Sequence, residues 1–121
     1  MAPKVTWPGL NGQTYTIETF PIGTEFNHVS GVYIICRQVS GGRWEAFYVG
    51  EAQSLYDRLN AGAQNHDGLK CSRTRGATHI GAMVVSGKAE RLRIETELRH
   101  SLNPPCNKQS VPRRAASLFD L

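Results

Sequence analysis

Gly31-Val32-Tyr33-Ile34-Ile35-Cys36-Arg37 and Arg43-Trp44-Glu45-Ala46-Phe47-Tyr48-Val49-Gly50 are the stretches whose reading decides the fold. Both are short runs of β-branched and aromatic residues, and Ser40-Gly41-Gly42 between them signals a turn. They read as a β-hairpin spanning Gly31 to Val39 and Arg43 to Val49. A period of two puts Val32, Ile34 and Cys36 on one face and Tyr33, Ile35 and Arg37 on the other. In the second strand Phe47 and Val49 share one face, and Trp44, Ala46 and Tyr48 the other. A two-residue turn at Ser40-Gly41 sets Tyr33 opposite Tyr48. A turn at Gly41-Gly42 leaves them diagonal on one face, and a one-residue bulge is expected to separate them. Cross-strand tyrosines are also packing units in their own right.

Outward from the hairpin, Thr14 to Phe20 alternates as a strand that Pro21 and Gly23 end, while Trp7 to Asn11, around Pro8 and Gly9, reads as loop. Ser54 opens a helix that fades near Gly62. Its hydroxyl is placed to cap the first turn, with Asp57 at the capping-box position. Gln64 to Gly76 is polar and reads as a loop or short irregular helix carrying Lys70, Arg73 and Arg75. Thr78 to Val85 is a fourth strand, and Lys88 to Leu102 is the clearest helix, stopped by Asn103-Pro104-Pro105. The order β-β-β-α-β-α implies an α+β fold: a small, largely antiparallel sheet of about three to four strands flanked by helices.

The totals fit one soluble domain with a modest core. The 14 Lys and Arg against 10 Asp and Glu give +4, compatible with a polyanionic partner but no demonstration of one. Three cysteines, Cys36, Cys71 and Cys106, lie far apart with no Cys-x-x-Cys. They imply reduced thiols and no disulfide scaffold. His66, Cys71 and His79 match no common zinc spacing. No apolar h-region follows Met1-Ala2-Pro3-Lys4, and no run is long enough to span a membrane. These features together point to a cytoplasmic protein.

Several side chains stand out. Arg58 lies at the margin of the Leu55–Leu59 stripe, where it would either hold a phosphate bidentately or snorkel to water. His66 sits in a polar stretch as an exposed loop histidine. On a wheel for residues 88–102, Leu92, Ile94, Leu98 and Leu102 fall in one arc, and Glu95 falls inside it. A carboxylate there either pairs with Arg91 and Arg99, one turn to either side, or anchors a cation. Glu90 and Glu97 read as solvated charges.

Taken together these elements resemble the GIY-YIG nuclease family. Gly31-Val32-Tyr33 and Tyr48-Val49-Gly50 match its two signature tripeptides, with valine for isoleucine in each. Arg58, eight residues past Gly50, matches its helix arginine. Glu95, ahead of Pro104-Pro105-Cys106-Asn107, matches its metal-binding glutamate and Pro-x-x-Asn ending. The resemblance divides the chain into an N-terminal strand and loop extension (1–30), a GIY-YIG-like domain (31–107) and a C-terminal tail (108–121). Within that tail Ser117-Leu118-Phe119-Asp120-Leu121 is a candidate docking peptide, or simply a terminus.

The resemblance implies an endonuclease that hydrolyses DNA phosphodiester bonds with one divalent metal, Mg²⁺ or Mn²⁺, held by Glu95. Arg58 would offset charge on the phosphate. Tyr33 would be the base and Tyr48 the positioning hydroxyl, with the two roles exchangeable and His66 a third base candidate. Asn107 would orient the site. DNA would meet Arg58, Lys70, Arg73 and Arg75, and a homodimer is one route to a double-strand cut. A basic DNA-binding module that keeps the fold without catalysis is the alternative.

Overall fold

A computed structural model describes residues 2–108. The tail expectations, docking peptide included, lie outside the described residues. The fold is α+β, built on one antiparallel sheet of five strands rather than three to four. β1 (Lys4–Pro8), β2 (Thr14–Pro21), β3 (Gly31–Gln38), β4 (Trp44–Ala52) and β5 (His79–Val84) lie in the order β1-β2-β5-β3-β4. The helices are α1 (Asp67–Thr74), α2 (Lys88–Leu102) and the short α3 (Pro105–Lys108).

The loop expected from Trp7 to Asn11 overlaps the end of β1, since Trp7 and Pro8 belong to the strand. β1 is an edge strand, pairing Val5 with Ile17 and Trp7 with Tyr15. A proline is tolerated at such an edge. β1 and β2 join the sheet through the pairing of β2 with β5, so they share the sheet of the hairpin. Interior β3 is buried on both faces over Gly31 to Cys36 and is bonded to β4 and β5.

The sheet separates two cores. Val32, Ile34, Cys36 and Val49 pack with Ile94 and Leu98 of α2 and with Trp7 and Ile17. On the other face Tyr33, Ile35, Ala52 and Ile80 pack with Leu55, Leu59 and Leu69. Two wheel readings of α2 change. Leu92 is 43% exposed, so it lies outside the buried arc. Glu97 is not a solvated charge: it is 9% exposed and accepts hydrogen bonds from Leu10 N–H (2.7 Å) and the Tyr15 hydroxyl (2.7 Å). With Arg93 at 3.3 Å it ties the β1–β2 turn to α2. These donors, the Leu10 amide first, hold its carboxyl below the usual value.

Cys71 and Cys106 are joined in a disulfide across a sequence separation of 35, contrary to the expectation of reduced thiols. The reading failed because spacing along the chain says nothing about α1 and α3 being brought side by side. The step from free thiols to a compartment therefore lapses. Cys36 is free and buried. Among the described residues no helix is long and apolar enough to cross a membrane.

Candidate functional site

The hairpin loop, not a two-residue turn, starts the site. Val39 to Arg43 forms a five-residue connection closed by Val39 N–H to Arg43 O at 2.7 Å, with Gln38 paired to Trp44. Gly41 and Gly42 have φ of +79° and +75°, which side chains other than glycine rarely adopt. An odd-length loop alone would continue the register to Ile34↔Tyr48 and bury Tyr48 against α2. Instead Phe47 forms a bulge: Cys36 pairs with Ala46 but Ile35 pairs with Tyr48. This extra residue moves Tyr48 to the face of Tyr33 and sends Val49 to the α2 side. The bulge therefore joins the two phenols, where it had been expected to separate them. Trp44 and Ala46 consequently face opposite to Tyr48.

The two rings lie diagonally, centroids 6.1 Å apart. Gly50, across from Tyr33, leaves the space the phenol occupies. A Cβ there would stand 2.5 Å from the Tyr33 hydroxyl and 2.9 Å from the Tyr48 ring. Gly50→Ala is expected to cost about 1–3 kcal/mol through overpacking and to displace Tyr33. Chemical denaturation checks this, and a midpoint equal to wild type would contradict the close approach.

His66 is not an exposed loop histidine. It is wholly buried, 0% exposed, at the N-cap of α1, and its Nδ1 accepts the Leu69 amide at 3.1 Å. In the neutral ring an accepting Nδ1 leaves the proton on Nε2. Nε2 lies 2.7 Å from the Tyr33 hydroxyl oxygen and donates to it. The Tyr48 ring packs edge-on to the imidazole at 5.1 Å. Burial, then repulsion from Arg58, lowers the His66 pKa to about 4. With one ring nitrogen accepting and the other donating, His66 has no lone pair left for a substrate proton. In this tautomer it holds the Tyr33 hydroxyl oxygen.

The pKa also sets an acid sensitivity. Between about pH 6.5 and 4 the unfolded chain binds a proton at His66 that the folded chain does not, so stability falls as pH falls. At 1.36 kcal/mol per unit the loss approaches about 3 kcal/mol. Glu90 and Glu97, with lowered carboxyl pKas, add losses only below the ordinary carboxylate value near 4.5. Urea midpoints at pH 7 and 4.8 should therefore differ in wild type and converge in His66→Gln. Equal slopes in the two proteins would contradict the burial of a neutral ring.

Arg58 comes from a wide helical turn, Asp57–Ala61, rather than an ordinary helix. Ser54 caps its start as read, its hydroxyl accepting the Asp57 amide at 3.2 Å. The turn closes from Gly62 N–H to Asp57 O at 2.8 Å, an i→i+5 bond. Such single wide turns recur where a side chain must be redirected. The Arg58 charge acts on both Tyr33 and His66. Burial first, and Tyr48 second, push the Tyr33 phenol above its ordinary pKa, and Arg58 opposes the rise.

Tyr48 and Arg58 line a cleft of about 550 Å³ with Asn65, Lys70, Cys71 and Cys106. Gly68 belongs to it too: a Cβ would meet the Tyr48 ring at 2.5 Å. Lys70 thus joins the site, while Arg73 lines a neighbouring depression and Arg75 is exposed at the end of α1. Asn107 grips β4: its Oδ1 accepts the Val49 amide (2.7 Å) and its Nδ2 donates to the Val49 carbonyl (2.9 Å). The Cys106–Cys71 bond, next to Asn107, ties this anchor to α1.

Glu95 lies on α2, partly buried, with Oε2 held by Arg99 Nε at 2.9 Å and Oε1 at 3.4 Å from the Thr96 hydroxyl. The i,i+4 partner is Arg99; Arg91 turns to Glu51 instead, at 3.0 Å. Among the described residues no group of three or more His, Cys, Asp or Glu side chains is placed to hold a metal. A single carboxylate is nonetheless the donor set that suits Mg²⁺, which keeps several waters and takes the rest of its shell from phosphate.

The residues that sequence reasoning missed are Gly68, Asn65 and the Cys71–Cys106 pair. Gly68 followed His66-Asp67 in a stretch whose polarity hid its packing role. No protein-family model, curated protein or solved structure matches the chain.

Proposed function

We propose that the protein is a divalent-metal-dependent endonuclease of GIY-YIG type that hydrolyses DNA phosphodiester bonds. The observation that carries this reading is the convergence of Tyr33, Tyr48, Arg58 and His66, from four separate segments, beside one cleft. Two donors, His66 Nε2–H and Arg58, favour negative charge on one phenol oxygen that burial otherwise keeps protonated. Groups with opposed influences of this kind cluster at catalytic sites.

In this mechanism Arg58 and Lys70 receive the scissile phosphate, and Arg58 offsets the charge that develops on it. The Tyr48 hydroxyl, on the cleft wall, holds the attacking water. Tyr33, in the phenolate form that His66 Nε2–H and Arg58 favour, accepts its proton, and His66 fixes the Tyr33 oxygen through the helix-cap tautomer. Asn107 holds β4 and with it Tyr48. Glu95 would hold the cation, which when bound supplies Lewis-acid stabilisation of the leaving oxygen. Arg73 and Arg75 extend the positive surface for the DNA backbone.

Nicking of supercoiled plasmid in Mg²⁺ or Mn²⁺, abolished by EDTA, tests the reading. Binding to DNA without nicking in either metal would favour a non-catalytic DNA-binding module. The Glu95–Arg99 ion pair, which occupies the carboxylate, is the observation on the side of that alternative.

A further inference from the structure

Arg58 lines a second cavity, of about 700 Å³, on its other side. Its walls differ from those of the cleft. They carry His28, Glu51, Gln53 and Asp57, with Arg58 the one lining residue shared with the cleft. Glu51 is paired with Arg91 at 3.0 Å, and an oxygen of Asp57 lies 3.6 Å from His28 Nδ1. A phosphate would gain little there. The His28 ring stacks on Tyr56, centroids 4.4 Å apart at 36°, and its side chain is 68% exposed. An open aromatic face beside carboxylate and amide acceptors suits a neutral, planar ligand that brings amino groups.

We propose that this cavity binds the nucleobase adjoining the phosphate held by Arg58, with His28 as the stacking platform and Asp57 as acceptor for a base amino group. The proposal rests on the reading of the cleft as a phosphodiester site. Base–aromatic stacking tolerates any base, whereas an acceptor discriminates. On a base turned out of its pair, cytosine, adenine and guanine each present an amino group on the edge that pairs, whereas thymine presents two carbonyls flanking a ring N–H. The site therefore prefers an amino-bearing base beside the cut over thymine. His28 precedes the first motif strand, so this subsite lies outside the residues that carry the chemistry.

Sequencing the ends of products from a randomised duplex, with steady-state kinetics on one chosen site, tests it in wild type, His28→Ala, His28→Phe and Asp57→Asn. His28 and Asp57 are exposed, so the core is untouched. His28→Ala is expected to raise KM about tenfold with kcat within about twofold, the size of one lost stacking contact. His28→Phe should restore KM, and Asp57→Asn should let thymine beside the cut match cytosine. Wild type that cleaves with no base preference, or His28→Ala with unchanged KM, overturns the subsite alone. Wild type that cleaves no DNA in Mg²⁺ or Mn²⁺ overturns the nuclease reading and the subsite with it.

Discussion

Tyr33→Phe is expected to slow metal-dependent nicking by about 10²–10⁴-fold, the usual worth of a positioned general base. The substitution removes one oxygen and leaves the ring in its pocket under Gly50. It also strips the buried His66 Nε2–H of its acceptor at 2.7 Å. An unpaired buried donor costs about 1–3 kcal/mol, against a typical total stability of about 5–15 kcal/mol, so the variant stays folded. DNA affinity should hold, because Arg58 and Lys70 remain in the cleft. Tyr48→Phe provides the contrast: its ring is only partly buried, and loss of a water-holding hydroxyl should cost about tenfold. Single-turnover nicking together with gel-shift affinity measures both. Tyr33→Phe that nicks at the wild-type rate, with Tyr48→Phe inactive, would exchange the two roles.

Glu95→Ala is expected to reduce nicking by at least about 10²-fold at saturating Mg²⁺. Two effects compete in the measurement. The Glu95–Arg99 pair joins a side chain 14% exposed to one 38% exposed, and partly solvated pairs of this sort contribute about 0–1 kcal/mol. Loss of the pair therefore cannot account for a hundredfold loss of rate in a protein that remains folded. Arg99→Ala separates the two roles. It frees the carboxylate without removing it, and should lower the Mg²⁺ concentration needed for half-maximal rate. If Arg99→Ala and Glu95→Ala lose stability equally and neither changes the metal response, the carboxylate is an ion-pair partner and nothing more.

The parts of this molecule that were legible in its sequence are those set by local chemistry. Residues 88–102 form the helix their periodicity specifies, Ser54 caps the turn ahead of Arg58, and the hairpin strands lie where the β-branched runs are. What escaped is what long-range contact decides. β1 is only five residues ending at a proline, and it exists because β2 offers it a partner. The short helix α1 contains few apolar residues, and its start is fixed by His66 itself acting as cap. That contact makes the ring wholly buried in a stretch whose composition reads as solvated. Glu97 looked like any exposed helix glutamate until the Leu10 amide and Tyr15 were brought against it from 82 to 87 residues away. For the candidate site, Tyr33, Tyr48, Arg58 and Lys70 could be named from the sequence, but Gly68, the Cys71–Cys106 pair and the mutual geometry of the phenols could not, because one unpaired residue in β4 settles that geometry.

That residue, Phe47, gives β4 something like a reading frame. Were Phe47 drawn into the ladder opposite Ile35, every later residue of β4 would move one step, carrying the Tyr48 hydroxyl into the apolar layer beneath α2 while Val49 emerged beside His66; deleting Phe47 would instead leave Tyr48 opposite Ile35. Two residues gained or lost together in the hairpin loop would leave the frame intact. Phe47 is itself 3% exposed and packs with Cys71 and Cys106, so its volume is constrained too, but the two phenols share a face only while the number of ladder-paired residues between Ala46 and Tyr48 is even, as it is here with none.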